Sequence, residues 1–362
     1  MTPTFNKVHN KFKLNNSNYT FEELKDVAYS LIKEGKPFEK ALGDFLADWL
    51  DPRDYVRTKS SGTTGRPKTI KIKKQAMVNS AIATGNYFGL KPGDKALHCL
   101  PTQFIAGKMM LVRAIILGLQ VDVIEPTTVL QFSTKKHYDF CAMIPMQLQN
   151  NIKKLNNIKK LIVGGAPISS LLLEQIQPLR TEIHATYGMT ETITHIAVKK
   201  LNNFMSLQGV TSQSVELACF RTLPNIKISQ DERDCLVIEA PSLTKEKIIT
   251  NDVVKIHSET EFEWLGRFDN VINSGGIKFF PELIEDKIKS KIQSRFFIAS
   301  EKDETLGEKL ILILEGEVNN LTNTVFKDLD KYETPKKIYV VPKFIETTSG
   351  KIQRLKTLAT IK

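Results

Sequence analysis

Short apolar runs that alternate with helix-like segments constrain the fold of this chain more than any other feature. Runs such as Lys95–Leu100, Phe140–Ile144 and Lys160–Val163 are bounded by turn residues and have the length of buried strands. Between them, Met109–Leu117 and Leu171–Ile176 show helical periodicity. This alternation predicts an α/β fold, in which helices cover a layered sheet.

A second, smaller pattern begins near Asp269. Pro281 opens a helix whose isoleucines recur four residues apart, and further strand-like runs follow it. We therefore predict a large α/β domain over residues 1–268 and a small α+β domain over residues 269–362.

Composition excludes several classes of protein. The chain carries 51 Lys and Arg against 40 Asp and Glu, but the net charge of +11 is scattered, which favours a solvated surface over a nucleic-acid site. The cysteines form no CxxC pair and the histidines no HxxxH pair, so no zinc site is predicted and the thiols are expected to be reduced and buried. The longest apolar stretch, Met109–Leu119, is too short to span a membrane, and Met1–Tyr19 lacks the apolar core of a secretory signal, so none is expected. A cytoplasmic location is expected.

The most informative segment runs from Thr58 to Lys68. It combines two glycines, several hydroxyl side chains, Arg66 and Lys68, a set that can surround phosphate oxygens with backbone N–H groups and cations. The alternative is a flexible surface loop. A Walker A loop is excluded because Pro67 stands where that motif needs glycine.

Other segments have weaker signals when each is taken alone. Tyr187–Thr192 follows a strand-like run and offers an aromatic ring, hydroxyls and a carboxylate, while Gly164–Pro167 ends another strand, where α/β sheets bind ligands. Asp252 is a carboxylate able to bind a ribose diol. Lys351 lies in a glycine turn near the C-terminus. Simple turns and a solvated lysine are the alternatives.

Together these segments resemble the adenylate-forming superfamily, which includes acyl-CoA synthetases, adenylation domains and luciferases. The resemblance rests on Ser60–Lys68, Tyr187–Glu191, Gly266–Asp269 and Ser349–Lys351, which occur in the family's order. It implies an abbreviated N-terminal part of the adenylate-forming fold and a mobile C-terminal domain. It also implies an enzyme that joins a carboxylic acid to a thiol through an acyl-adenylate, using ATP, Mg²⁺ and coenzyme A.

The resemblance assigns roles residue by residue. Lys351, Thr190 and Glu191 would be catalytic, with Glu191 also holding Mg²⁺. The nucleotide would be bound by the phosphate loop and by residues around the adenine and ribose: Ser60, Ser61, Gly62, Thr63, Thr64, Gly65, Lys68, Gly165, Ala166, Tyr187, Gly188, Asp252 and Arg267. Asp269 would be the hinge about which the small domain rotates, and Gly275 and Gly276 would line the coenzyme A tunnel.

The clue to the acid is Arg113, which lies within an otherwise apolar helix. Such a cation needs an anion or a path to water, so a structural ion pair and a substrate carboxylate are both open. The segment resembles that of o-succinylbenzoate–CoA ligases of menaquinone biosynthesis, whose substrate is a dicarboxylate. This resemblance implies that Arg113 binds the second carboxylate, with Lys108, Thr194 and His195 as further contacts.

Several departures and alternatives accompany this interpretation. Asn251 stands where glycine is usual, Phe104 where many relatives have histidine, and Glu346 where a basic residue is common. Another aryl- or acyl-CoA ligase, an adenylation enzyme serving a carrier protein and a nucleotide-binding protein without turnover are the competing functions. The expected partner is a small carboxylic acid, with neither nucleic acid nor a membrane span, and a homodimer is left open.

Overall fold

The computed structural model describes residues 3–59, 69–202, 219–316, 323–346 and 352–361. Within these ranges helices and strands alternate as the apolar runs predict, and the four cysteines are buried. The predicted α/β fold class is confirmed. No helix in the described ranges is long and apolar enough to cross a membrane.

The helices pack an apolar face against the sheet or against a neighbouring helix. They are α1 (Glu23–Glu34), α2 (Pro37–Leu50), α3 (Lys74–Phe88), α4 (Ile105–Leu117), α5 (Pro145–Asn151), α6 (Ser170–Ile176), α7 (Pro281–Ile288) and α8 (Arg354–Leu358). Helix α4 is apolar on nearly all sides, and its residues 107–116 are all buried, as expected for a helix enclosed in a core. Gly118 ends it at φ 75, a conformation that glycine adopts without strain.

The strands form one large sheet, a smaller sheet and a hairpin. They are β1 (Lys13–Leu14), β2 (Ser17–Asn18), β3 (Tyr55–Lys59), β4 (Thr69–Lys73), β5 (Lys95–His98), β6 (Gln120–Val123), β7 (Tyr138–Met143), β8 (Ile158–Val163), β9 (Glu182–Gly188), β10 (His195–Lys200), β11 (Cys219–Thr222), β12 (Lys227–Gln230), β13 (Cys235–Glu239), β14 (Ile248–Ser258), β15 (Glu261–Arg267), β16 (Ile272–Ser274), β17 (Ile277–Phe279), β18 (Phe296–Asp303), β19 (Gly307–Glu315) and β20 (Lys337–Val341).

The large sheet has a parallel half and an antiparallel half. Strands β6, β5, β7, β8 and β9 lie side by side in parallel, and from β9 onward through β10, β11, β15, β14, β13 and β12 the pairing is antiparallel. Alternate residues of the parallel strands enter two apolar cores, so Phe140 packs with α1–α4 and Cys141 packs with α5 and α6. The carboxyl ends of β5, β7, β8 and β9 therefore meet at one edge, where ligands bind in open α/β sheets.

The smaller sheet contains β16 to β20, with β19 pairing antiparallel to β18 and parallel to β20. Its core is built from α7 and from alternate residues of β18 and β19. The large sheet's strand β15 ends at Arg267 and the smaller sheet begins at Ile272. The division into domains 1–268 and 269–362 stays a prediction.

Candidate active site

A cavity of about 470 Å³ opens at the carboxyl ends of the parallel strands. Its walls are mostly apolar and come from the start of α4, the ends of β7 and β8, and the segment after β9. The first turn of α4 packs closely against the preceding segment: a Cβ at Gly107 would lie 2.3 Å from the carbonyl oxygen of Pro101. A side chain at that position would displace the wall of the cavity.

Three glycines form the opposite rim. Gly164 and Gly165 follow β8, and Gly188 ends β9. A Cβ on Gly164 would lie 2.3 Å from the hydroxyl oxygen of Thr186, and Gly165 has φ 94, which favours glycine. The rim therefore exposes bare backbone to a ligand, and Ala166 comes directly after it.

Arg113 of α4 reaches this cavity while only 2% of its surface is exposed. Its Nη2 donates to the hydroxyl of Thr194 at 3.3 Å and approaches Nδ1 of His195 at 3.5 Å, whereas Nε has no partner among the described residues. Its hydrogen-bond partners in the described ranges are all neutral, and burial lowers the pKa of Arg113 to about 9. A buried guanidinium in this state favours an anionic ligand.

His195 is held neutral beside this guanidinium. Burial, followed by the charge of Arg113, lowers the pKa of His195 well below its usual value. Because a guanidinium only donates, Nδ1 must accept, which leaves the proton on Nε2, 3.5 Å from the hydroxyl oxygen of Thr84 on α3. Thr84 in turn donates to the carbonyl oxygen of Ser80. Sequence reasoning missed Thr84, since nothing local marks a threonine within a helix as a histidine partner.

A second polar cluster surrounds Asp252 on β14. Tyr187 donates to one carboxylate oxygen at 2.6 Å, and Trp264 and Arg267 donate to the other, each at 3.2 Å. Burial and the neighbouring carboxylate raise the pKa of Tyr187, so its hydroxyl stays protonated. The ring of Tyr187 also contacts Phe262, with centroids 5.2 Å apart. Trp264 was missed by sequence reasoning; only its position three residues before Arg267 could have indicated it.

Thr190 lines the cavity and Glu191, which follows it, is exposed. In the described ranges no three His, Cys, Asp or Glu side chains gather as a metal-binding group. A single carboxylate nevertheless fits Mg²⁺, which proteins commonly hold through one or two carboxylates together with substrate phosphates. The glycine rim also fits a nucleotide, because it exposes backbone groups to a ligand. The hydroxyl of Thr58 supports this, since it is buried at the cavity without a hydrogen-bond partner in the described chain.

The predicted hinge residue, Asp269, lies next to Arg267 and Asn251. The side-chain amide of Asn251 donates to Asp269 at 3.3 Å, and its oxygen accepts from Arg233 at 3.0 Å. The asparagine that replaces the usual glycine therefore links β14 to the predicted hinge. Gly275 and Gly276 lie at the exposed turn between β16 and β17, both with positive φ.

Six of the described site residues line the cavity, namely Arg113, Gly165, Gly188, Thr190, Thr194 and His195, and Tyr187, Asp252 and Arg267 form the second cluster. Lys108 does not line the cavity: its ammonium group lies 4.9 Å from the ring centroid of Phe45 on α2, on another side of α4. Several predicted residues lie outside the described ranges, namely Ser60, Ser61, Gly62, Thr63, Thr64, Gly65, Lys68 and Lys351. Their roles stay predictions.

Comparison with known proteins gives a consistent result. The profile of a family described as AMP-binding enzyme matches residues 21–233. A 2-succinylbenzoate–CoA ligase of Lactococcus lactis is 25% identical over 350 residues, which cover 91% of this chain and 75% of the relative. A similar ligase of Listeria monocytogenes is 24% identical, with 85% and 71% covered.

Solved structures show the same fold. An acyl-CoA synthetase (AMP-forming)/AMP-acid ligase II-like protein of Dyadobacter fermentans is 34% identical with a TM-score of 0.62, covering 93% of this chain and 98% of the other. An o-succinylbenzoate coenzyme A synthetase of Bacillus subtilis, in complex with ATP and a magnesium ion, superposes with a TM-score of 0.70 at 19% identity, covering 95% and 83%.

Proposed function

The chain belongs to the family of AMP-binding enzymes, and from that premise we propose that it is an acid–CoA ligase whose substrate is o-succinylbenzoate. Relatives that carry the name of a CoA ligase support the general reaction, an acid joined to coenzyme A at the expense of ATP. The identity of the acid is our own inference, because the ligases are only about a quarter identical to this chain.

Arg113 is the observation that carries the substrate proposal. A monocarboxylic acid has one carboxylate, which reacts with ATP, so this buried guanidinium is left without a counter-ion. A dicarboxylate supplies one carboxylate for reaction and a second for Arg113. The apolar walls, among them Phe104 and Ile105, suit an aromatic ring between the two charged ends.

The reaction we propose has two steps. The substrate carboxylate attacks the α-phosphorus of ATP, which releases pyrophosphate and forms an acyl-adenylate. The thiol of coenzyme A then attacks the acyl carbon, which releases AMP and forms the thioester. Two anions must meet in the first step, so it depends on cations and oriented donors. Mg²⁺, when bound, neutralises phosphate charge during this step.

The nucleotide end of the site suits the first step. We propose that Thr190 contacts the α-phosphate and that Glu191 holds Mg²⁺. Asp252 would bind the ribose hydroxyls, since three donors fill three of its roughly four acceptor positions and leave one for a hydroxyl. Tyr187, anchored by that carboxylate, would present its ring to the adenine beside Gly165, Ala166 and Gly188.

The remaining roles belong to segments that flank the cavity. The phosphate loop, Ser60 to Lys68, would bind the β- and γ-phosphates, and Lys351 would bridge the substrate carboxylate and the α-phosphate. We propose that the small domain turns about Asp269 after the first step, withdraws Lys351 and brings Gly275 and Gly276 to the coenzyme A tunnel.

The test measures pyrophosphate release from ATP with a panel of mono- and dicarboxylic acids, in the absence of coenzyme A. We expect release with o-succinylbenzoate and little with benzoate or other monoacids of similar size. A signal with a monoacid and none with o-succinylbenzoate would overturn the substrate proposal while leaving the ligase assignment in place.

A further inference from the structure

Residues 189–195 join the two ends of the proposed site. Thr190 lines the cavity at one end of this segment, and Thr194 and His195 contact Arg113 at the other. The distance between the reacting carboxylate and Arg113 therefore depends on the path of a short stretch of backbone.

That path contains an unusual turn at Ile193. The N–H of Thr194 donates to the carbonyl oxygen of Thr192 at 2.7 Å, a hydrogen bond that spans one residue, and Ile193 between them has φ 68. A γ-turn with positive φ is rare and strained. A β-branched residue there is a clear outlier, because its Cβ crowds the following carbonyl oxygen.

Neighbouring groups hold the turn in place. The side chain of Ile193 is 5% exposed, packs in the main apolar core and lines the cavity. The hydroxyl oxygen of Thr192, itself fully buried, accepts the N–H of Met189 at 2.9 Å. The turn also lies against Gly188, where a Cβ would be 2.4 Å from the carbonyl oxygen of Thr194. Burial of the isoleucine thus maintains a backbone conformation that the residue alone would avoid.

We propose that Ile193 is a positioning residue that sets which length of diacid the enzyme accepts. Its buried side chain fixes the strained turn, and the turn fixes Thr194 and His195 against Arg113 at one distance from Thr190. This inference rests on the proposed function, since it concerns where the second carboxylate of the substrate is bound.

Three variants distinguish the effect of a changed backbone conformation from the effect of lost side-chain volume. Ile193→Val keeps the branched side chain and most of the packing. Ile193→Ala removes the anchor but still disfavours positive φ, so its turn should relax. Ile193→Gly removes one carbon more, yet adopts positive φ freely. If Ile193 only filled space, glycine would be more harmful than alanine.

The measurement is the ratio of kcat/KM for o-succinylbenzoate to that for an aromatic diacid one methylene shorter, from pyrophosphate release. We expect the ratio for the valine variant to stay within about twofold of the wild-type ratio. For the alanine variant it should fall about tenfold. The glycine variant should lose only about threefold, since the cost of a left-handed residue corresponds to factors of this size.

The outcomes are distinguishable. A wild type that prefers monoacids overturns the proposed function and this inference with it. A wild type selective for the longer diacid, with a glycine variant less selective than the alanine variant, overturns the inference alone. Thermal unfolding of each variant checks the fold; should glycine and alanine both prevent folding, a folded Ile193→Val variant with a tenfold loss of the ratio would also contradict it.

Discussion

The proposed site buries one charged side chain at its nucleotide end, around Asp252, and another at its acid end, around Arg113, and the two charges are compensated differently. At the nucleotide end, Asp252 accepts hydrogen bonds from Tyr187, Trp264 and Arg267, so its charge is compensated within the chain. At the acid end, Arg113 meets only neutral groups among the described residues. Removal of the compensated charge leaves its buried donors without their acceptor, whereas removal of the uncompensated charge leaves no buried ion unpaired. The comparison therefore predicts that a change at Asp252 lowers stability, whereas a change at Arg113 acts mainly on ligand binding.

The largest effect should come from Arg113→Met. We expect KM for o-succinylbenzoate to rise about 100-fold, since an interfacial charge pair lost on one side costs about 2–5 kcal/mol, while KM for a monoacid changes little. The free energy of unfolding should not fall, because the change removes a buried charge that has no carboxylate partner.

Lys108→Met is the matched control for that prediction. Lys108 is also a buried cation of α4, yet it lies over Phe45 rather than at the cavity. Steady-state kinetics and denaturant unfolding of both variants decide the case. Equal effects of the two changes on KM would show that the acid end has no special role.

At the nucleotide end, Asp252→Asn should mainly lower stability. Three donors lose a charged acceptor, so we expect the free energy of unfolding to fall by about 2 kcal/mol in denaturant titrations. Asp269→Asn is the control, because the side chain of Asp269 is 59% exposed and its ion pair with Arg267 should be worth little. An Asp252→Asn variant as stable as wild type would contradict the contrast between the two ends.

Low pH should lower the stability of the folded protein through protonation of His195. Since the pKa of His195 in the folded protein lies well below its unfolded value, the unfolded chain binds the proton first, and stability falls as the pH drops below about 6.5. Between pH 7 and pH 5 we expect His195→Gln to lose on the order of 1 kcal/mol less stability than wild type. An identical loss in both proteins would mean that His195 titrates normally.

The smallest expected effect concerns Thr84→Val. This change removes the hydroxyl that faces Nε2 of His195, so KM for o-succinylbenzoate should rise about threefold with kcat unchanged, the size of one weak hydrogen bond. Ser80→Ala is the control one helical turn earlier, where the hydroxyl has no partner in the described chain. A change in kcat rather than KM would place Thr84 in the chemistry instead.

Local sequence patterns were enough to predict the parallel strands and the edge at which they end. Apolar runs bounded by turns identify β5, β7 and β8, because burial on both faces requires uninterrupted apolar residues. The glycine rim after β8 and the motif at the end of β9 could be located in the same way, and the resemblance predicted their place in one site.

The partners of the site residues could not be predicted from the sequence. Thr84 and His195 are 111 positions apart, and Asp252 and Tyr187 are 65 positions apart. Contacts at such separations depend on how the sheet brings α3 to β10 and β9 to β14, and no local pattern indicates them. The link from Asn251 to Asp269 likewise appears only when β14 and the segment after β15 lie side by side.

Helix α4 shows both what the sequence can predict and what only the tertiary structure decides. The sequence by itself predicted an apolar helix over Met109–Leu117 that contains Arg113, and it offered Lys108, just before that range, as a second cation for the same acid. It could not decide which cation serves the site: Lys108 and Arg113 are five residues apart, about 140° around the helix. Only the packing of α4 against its neighbours turns Arg113 to the cavity and Lys108 to the ring of Phe45.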